Sequence, residues 1–211
     1  MVEVKLGLRT VDLPFTVRLY GVTEKVFDEL VDEDTKAELL DGVMIVHSPA
    51  SPPHNRIGRF LRKLMGLYVE DKGLGEVFGP DDLIHLATGR RFAPDAFFLE
   101  QRHIPEPFPR DQFEGIPDLV IEVLSPSNRD DDLEDKRPAY RQAGVKEIWF
   151  VDPDGQQVIM DRRRKKTYAT AIVNGGRVIS AVLPGFWVET AWLWAEPPPK
   201  VIPCFRKILK G

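Results

Sequence analysis

Apolar residues recur along this chain at two spacings, which together predict alternating helices and strands. Between residues 54 and 71 they return every three or four positions, the period of a helix with one apolar face. Residues 118–124 are almost continuously aliphatic, as in a buried strand, and shorter apolar runs at 77–78, 83–86 and 94–99 predict further strands. The order of the elements predicts an α/β or α+β fold with a mixed sheet flanked by helices.

Turn-forming residues mark where several of these elements begin and end. Thr23 predicts the N-cap of a short first helix. The Asp-Gly pair at 41–42 predicts a two-residue hairpin turn, because both residues tolerate a positive φ. The strand pairing that this turn implies places Glu38 opposite Ile45. Gly144 predicts the end of a later helix.

The helix that ends at Gly144 contains a proline, and its starting point has two alternatives. Pro138 removes a helix hydrogen bond if the helix begins near Asp131. A start near Glu134 places the proline in the first turn, where it is tolerated. The later start would change the direction in which the Lys136 side chain points.

Two further segments carry predictions for the second half of the chain. Several prolines between residues 100 and 117 predict a long surface loop without regular elements. A closing antiparallel meander is predicted from three apolar runs, at residues 158–160, 168–173 and 178–182.

Composition supports a folded protein built around one core. The chain has 211 residues, of which 43% are hydrophobic, and this excludes a disordered or fibrous protein. We expect a lead-in at residues 1–21 and a single domain over 22–196. A basic tail at 197–211 is either a basic arm or a frayed end.

Cysteine content and charge narrow the class further. The single cysteine, Cys204, excludes an intramolecular disulfide framework and a zinc site built of several cysteines. We expect a cytoplasmic protein without membrane contact, since the sequence shows neither a spanning apolar run nor a secretory signal. The 33 acidic and 29 basic residues give a formal charge of −4, which argues against a surface that is basic throughout.

Three charged residues stand where apolar residues are expected. Glu122 lies inside the aliphatic strand, and Asp95 opens another apolar strand. Lys136 shares a helix face with Leu133 and Tyr140, so we expect it to point towards the core. Two carboxylates and one ammonium that converge on a sheet predict a site for Mg²⁺ or Mn²⁺, since both ions prefer hard oxygen ligands.

Each of the three residues also has a simpler interpretation. For Glu122, the alternative is the partner of Lys136 in a structural ion pair. Asp95 follows a proline, so a simple turn residue is its alternative interpretation. For Lys136, the alternative is a side chain that extends to the surface.

Seven segments, taken in order along the chain, resemble one protein family. They are Glu38-Leu-Leu-Asp-Gly, Ser48-Pro-Ala-Ser-Pro-Pro-His, Pro94-Asp, Pro117-Asp-Leu-Val-Ile-Glu-Val-Leu-Ser-Pro, Lys136 with Tyr140 and Ala143-Gly-Val, Trp149-Phe-Val-Asp-Pro and Leu183-Pro-Gly-Phe. Together they are similar to the Uma-type family, a large bacterial group classed with the restriction endonucleases, over residues 22–195.

The resemblance implies a PD-(D/E)xK nuclease with a restriction-endonuclease-like core. By position it implies that Asp95 and Glu122 hold the Mg²⁺ or Mn²⁺ ion, together with the backbone carbonyl of Val123. It further implies that Lys136 positions the attacking water from the following helix. Leu124 stands where many members of the superfamily carry that lysine.

Other features of the resemblance leave alternatives open. Glu38 is either an auxiliary ligand or one polar residue of a hairpin. His54 is either a substrate contact or the polar start of a helix. The resemblance also implies a homodimer.

The expected function is therefore a metal-dependent endonuclease that hydrolyses phosphodiester bonds in DNA. Arg56, Arg59 and Lys63 form a stripe that either contacts the phosphate backbone or is a solvated face, and the basic run at 162–166 has the same two interpretations. The alternative function is a non-catalytic, dimeric or partner-binding protein that keeps the nuclease fold. A glycosidase with paired carboxylates is a third alternative, which leaves the inward lysine without a role.

Overall fold

The computed structural model describes residues 5–6, 9–10, 16–31, 37–47, 52–126 and 128–211. The strands of these ranges are β1 (Lys5–Leu6), β2 (Arg9–Thr10), β3 (Thr16–Tyr20), β4 (Ala37–Leu40), β5 (Val43–His47), β6 (Gly75–Phe78), β7 (Ile84–Ala87), β8 (Arg90–Phe92), β9 (Ala96–Glu100), β10 (Phe113–Glu114), β11 (Leu119–Val123), β12 (Glu147–Asp152), β13 (Gln157–Arg164), β14 (Thr167–Val173), β15 (Arg177–Ile179) and β16 (Trp187–Glu189). The helices are α1 (Glu24–Leu30), α2 (Pro52–Lys72), α3 (Arg137–Ala143), α4 (Thr190–Trp194) and α5 (Val201–Lys210), with a 3₁₀ turn at Gln101–His103 and a π-helical turn at Asp131–Lys136.

Two large sheets organise these elements. Sheet A has the strand order β14-β13-β12-β11-β9-β6, and sheet B has the order β10-β7-β8-β4-β5-β3. In sheet A, β11 is parallel to β12 and antiparallel to β9. The prediction of an α/β fold with a mixed sheet flanked by helices is confirmed.

The core lies in layers on both faces of sheet A. One layer brings Leu64 of α2 and Ile208 of α5 against Ile121 of β11. The other layer holds Val120 of β11 and Tyr140 of α3, together with apolar side chains from sheet B. Because successive side chains of β11 point to opposite layers, Glu122 faces the layer between the two sheets, on the same side as Val120.

The hairpin of β4 and β5 forms as predicted. Asp41 and Gly42 have φ values of 47° and 89°. Positive φ at both central residues is the conformation that a two-residue hairpin turn of type I′ requires. Glu38 pairs with Ile45, the register that the turn implied. The predicted N-cap is also confirmed, since Thr23 Oγ1 accepts the backbone N–H of Val26 at 3.3 Å.

Three sequence-based expectations are wrong in detail. The segment 100–117 contains a 3₁₀ turn and β10, because Phe113 is buried against Phe78 and Phe97 and its backbone pairs with β7. The closing strands do not form one meander, because β15 pairs with β16 rather than with β14. The basic tail is neither an arm nor a frayed end, since α5 packs against α2 through Cys204 and Ile208.

The π-helical turn explains how Pro138 is accommodated. Helical structure already begins at Arg129, which is earlier than either predicted start. Arg137 N–H donates to the carbonyl of Asp132, five residues back. Pro138 then lies in the first turn of α3, where the hydrogen-bond step shortens and the missing N–H is tolerated. Within the described ranges, no helix combines the length and apolar character that a membrane crossing needs.

Candidate active site

Two acidic residues, Asp95 and Glu122, lie where strand β9 begins and strand β11 ends. The register pairs Ile121 with Ala96, so the next position along each strand brings Glu122 beside Asp95. The two side chains are 3% and 7% exposed, respectively. Asp95 Oδ2 accepts the backbone N–H of Val123 at 2.8 Å, which fixes the carboxylate against the backbone of β11.

Lys136 projects from the π-helical turn into the same place. It is 4% exposed, as its predicted helix face required. Its Nζ lies 2.8 Å from Glu38 Oε2, 3.0 Å from Asp132 Oδ1 and 3.4 Å from Glu122 Oε1. The side chain therefore does not extend to the surface. We call Glu38, Asp95, Glu122, Asp132 and Lys136 the Lys136 cluster.

Glu38 brings sheet B into this cluster. Its neighbour Leu39 faces the outer side of sheet B, where it packs near Phe27 of α1, so alternation turns Glu38 inward. Glu38 is 1% exposed, and its Oε1 accepts the N–H of Ala93 at 2.9 Å. Glu38 is thus a buried ion-pair partner of Lys136 that connects the two sheets.

Two members of the site were not among the candidate residues. Tyr140 Oη donates to Glu122 Oε1 at 2.7 Å, and its position about one helical turn after Lys136, on the same face, was the available signal. Asp132 is completely buried, and within the described part of the chain neither of its carboxylate oxygens accepts a hydrogen bond. Its closeness to Lys136 Nζ is therefore an electrostatic contact. In the sequence it is one of three consecutive aspartates, and nothing distinguished it from its neighbours.

Burial and the charge of Lys136 have the largest effects on the pKa values of the acids in the Lys136 cluster. Burial raises the pKa of Glu122 to about 7; Lys136 opposes this shift, while Asp95 and Glu38 add to it. Burial likewise raises the pKa of Asp132 well above its usual value. Burial would lower the pKa of Lys136, but Asp132, Glu122 and Glu38 raise it well above its usual value. The lysine is therefore held as a cation.

The donor set of the cluster fits a hard divalent cation. Three buried carboxylates, those of Glu38, Glu122 and Asp132, surround the Lys136 ammonium, and Asp95 lies next to Glu122 in the strand register. Buried charge is costly unless a counter-charge accompanies it, and Mg²⁺ or Mn²⁺ takes carboxylate and carbonyl oxygens. The described hydrogen bonds to Glu122 end on Oε1, so Oε2 is the oxygen that a cation would meet.

The other candidate residues lie on α2, and in the described part of the chain no contact joins them to the carboxylates of the Lys136 cluster. His54 is in the first turn of α2, and its side chain lies outside the described residues. Arg56 donates to Glu196 Oε1 at 2.7 Å, so its charge is paired. Arg59 and Lys63 are exposed, and in the described part of the chain no ion pair joins them to an acid. For Arg59 and Lys63, contact with a phosphate backbone stays a prediction.

A second group of ionisable residues lies at the opposite end of β11. Ligand atoms of Glu100, His103 and Asp118 lie within 4.8 Å of one another. Lys146 Nζ is 2.7 Å from Glu100 Oε1 and 2.6 Å from Asp118 Oδ1, so a cation is already present as a side chain. We call these four residues the Lys146 network. Sequence reasoning missed it, because its members come from segments that only the fold brings together.

Comparison with known proteins agrees with this architecture. The family model named Uma2, described as "Putative restriction endonuclease", matches residues 25–191. Among solved structures, the chain is similar to one described as the crystal structure of a putative nuclease belonging to DUF820 from Anabaena variabilis ATCC 29413. The TM-score is 0.72 at 18% identity, and the match covers 82% of this chain and 97% of that chain. At this identity the likeness shows the fold, and the predicted nuclease-like core is confirmed. No curated protein matches the chain.

Proposed function

Since the chain belongs to the Uma2 family of putative restriction endonucleases, we propose that it is a metal-dependent nuclease that hydrolyses phosphodiester bonds in DNA. The observation that carries this proposal is the Lys136 cluster, in which buried carboxylates from both sheets and from the π-helical turn surround one lysine, with buried Asp95 next to Glu122 in the strand register. Burial, together with the neighbouring acids, raises the pKa of Glu122 to about 7, and strongly shifted pKa values of buried acids are concentrated at functional sites.

The proposed metal ligands are Asp95, Glu122 and the backbone carbonyl of Val123. Asp95 immediately precedes β9 and is next to Glu122 of β11 in the strand register, and the backbone N–H of Val123 donates to Asp95 Oδ2. A bound Mg²⁺ or Mn²⁺ ion would supply Lewis-acid chemistry, which polarises a phosphate and lowers the pKa of a coordinated water. Glu38 and Asp132 are auxiliary acids in this proposal, because the carboxylates of both lie within ion-pair distance of Lys136.

Lys136 supplies the second catalytic group in this proposal. Its ammonium is held as a cation by three carboxylates at 2.8–3.4 Å. A fixed buried cation stabilises the negative charge that develops on a phosphate and orients a water by hydrogen bonding. Tyr140 fixes Glu122 at the same time, since its hydroxyl occupies Glu122 Oε1.

The proposed substrate is DNA, and the proposed assembly is a homodimer. Exposed Arg59 and Lys63 on α2 supply charge for contacts with a phosphate backbone. Both parts of the proposal follow the family resemblance, and each needs its own measurement. The oligomeric state is obtained from light scattering of the purified chain.

A non-catalytic role has one specific observation in its favour. Lys136 lies within ion-pair distance of three carboxylates, so the cluster is partly self-compensated without any metal. On this alternative the ion pairs connect sheet A, sheet B and the π-helical turn. The fold would then serve as a partner-binding module.

Cleavage assays distinguish the two functions. Supercoiled plasmid, single-stranded DNA and RNA are incubated with the purified chain and Mg²⁺ or Mn²⁺, with and without EDTA. We expect metal-dependent cleavage that Glu122→Gln abolishes and that Glu70→Gln, an exposed change on α2, leaves intact. Absence of cleavage of every substrate, or equal cleavage by the wild type and Glu122→Gln, would contradict the proposed nuclease.

A further inference from the structure

An arginine that the sequence patterns did not single out reaches the candidate metal ligands from the other side of sheet A. Arg62 lies on α2, one position from the predicted stripe residue Lys63. Its Nη1 donates to the backbone carbonyl of Asp95 at 2.7 Å. The guanidinium is therefore held next to a residue that is itself a candidate metal ligand.

Two glycines, Gly58 and Gly79, border this guanidinium. A Cβ atom at Gly58 would lie 3.5 Å from Arg62 Nη1 and 3.9 Å from Asp95 Cβ. A Cβ atom at Gly79 would lie 3.4 Å from Arg62 Cδ and 3.5 Å from its Nε. Side chains larger than alanine at either position would compete with Arg62 for this space. The arginine thus occupies a cradle between α2 and the segment after β6.

Most of the hydrogen-bonding capacity of Arg62 is unused. A guanidinium carries five N–H donors, and the bond to Asp95 is the single hydrogen bond that Arg62 makes within the described ranges. No acid of those ranges lies within ion-pair distance of it, whereas Arg56 on the same helix is paired with Glu196. A half-buried, unpaired guanidinium in fixed position is suited to bind an oxyanion with two parallel hydrogen bonds.

We propose that Arg62 binds a backbone phosphate of the nucleic-acid strand that the Lys136 cluster cleaves. This inference rests on the proposed function, because that function places a phosphodiester beside Asp95. The Nη1 bond to Asp95 holds the guanidinium in place before the substrate arrives, so little side-chain freedom is lost on binding. The remaining donors then face the phosphate.

Salt-dependent binding tests this role without requiring turnover. Fluorescence anisotropy of a labelled DNA duplex is measured with Ca²⁺ in place of Mg²⁺, over a series of salt concentrations. The proteins are the wild type, Arg62→Gln, Arg62→Lys and Lys72→Gln. Lys72 is a matched control, since it lies ten residues further along α2, about 15 Å away along the axis. Circular dichroism and thermal unfolding check that each variant is folded.

The expected result is a change in both affinity and salt dependence. Arg62→Gln should weaken binding about tenfold and reduce the slope of log K against log salt by about 0.9, the contribution of one phosphate contact. Arg62→Lys should keep the wild-type slope with intermediate affinity, because it retains the charge but loses the bidentate geometry. Lys72→Gln should match the wild type in both quantities.

Three outcomes would overturn the inference. The first is equal affinity and slope for Arg62→Gln and the wild type. The second is weaker binding with an unchanged slope, which would show that Arg62 only supports Asp95. The third is a wild type that binds no DNA. An Arg62-dependent slope in a protein that cleaves nothing would instead support the contact and contradict the proposed nuclease.

Discussion

Tyr140 and Glu122 are joined by a buried hydrogen bond of 2.7 Å, in which the phenol donates to Oε1 of the carboxylate. The same oxygen lies 3.4 Å from Lys136 Nζ. Burial and the neighbouring Glu122 both raise the pKa of Tyr140 well above its usual value, so the phenol stays protonated and remains a donor. Because both of these contacts engage Oε1, Oε2 of Glu122 is the oxygen proposed to meet a metal ion.

Removing the Tyr140 hydroxyl tests whether this orientation matters. Tyr140→Phe should lower the free energy of unfolding by about 1 kcal/mol, the usual contribution of one hydrogen bond. It should also lower kcat about tenfold, because Glu122 loses its fixed orientation. Urea unfolding and plasmid cleavage measure the two effects.

Tyr168→Phe is the matched control for this change. Tyr168 Oη donates to the carbonyl of Val145 at 2.6 Å, outside the Lys136 cluster. The control should lose similar stability and keep its kcat. Equal losses of kcat in the two variants would contradict a specific role for Tyr140.

Replacing the lysine should expose the cost of the surrounding carboxylates. Lys136→Met keeps most of the length of the side chain but removes the charge that compensates three acids, so we expect a loss of about 3–5 kcal/mol in metal-free buffer. Millimolar Mn²⁺ should restore part of this stability, because a bound cation replaces the missing charge. Thermal unfolding with and without Mn²⁺ gives both quantities.

Lys63→Met provides the control on an exposed position of α2. Its stability should stay within about 0.5 kcal/mol of the wild type, and Mn²⁺ should shift it by the same amount as the wild type. A Lys136→Met protein that is as stable as Lys63→Met would show that the carboxylates are compensated by something else.

The raised pKa of Glu122 predicts a pH dependence of stability with a definite sign. The folded carboxyl titrates near pH 7, above its unfolded value of 4.5, so the folded state binds more protons between these two values. Metal-free stability should therefore fall as the pH rises through this interval, by an amount on the order of 1 kcal/mol or more. Urea unfolding at pH 5, 6, 7 and 8 measures this fall.

Glu122→Gln isolates the contribution of this group from those of other titrating residues. The stability difference between the variant and the wild type should grow in favour of the variant as the pH rises, and then level off above pH 7. A difference that is constant with pH, or one that changes in the opposite direction, would show that Glu122 titrates normally.

Local patterns in the sequence predicted the parts of the site that depend on a single element. Alternation along β11 placed Glu122 on one face of the sheet, and the Asp-Gly turn fixed the register of Glu38. Helical spacing predicted that Lys136 points inward. Each of these features depends only on residues that are close in the sequence, and the local backbone conformation determines it.

Features that depend on tertiary packing were not predictable in the same way. Arg62 reaches the carbonyl of Asp95, 33 residues away, and no local pattern marks such a contact. The burial of Asp132 depends on the π-helical turn, whose hydrogen bonds do not follow the regular helical period. The segment from residue 197 was predicted only as a basic tail, because the apolar face of α5 is buried against α2, which is distant in the sequence.

The most direct test of the account is the position of Mn²⁺ in crystals of the full chain, located by anomalous diffraction. The account predicts a peak coordinated by Asp95, Glu122 and the carbonyl of Val123, which disappears in crystals of Glu122→Gln. A peak confined to the Lys146 network, or no peak at the Lys136 cluster at saturating Mn²⁺, would contradict the claim that the buried carboxylates form a metal centre.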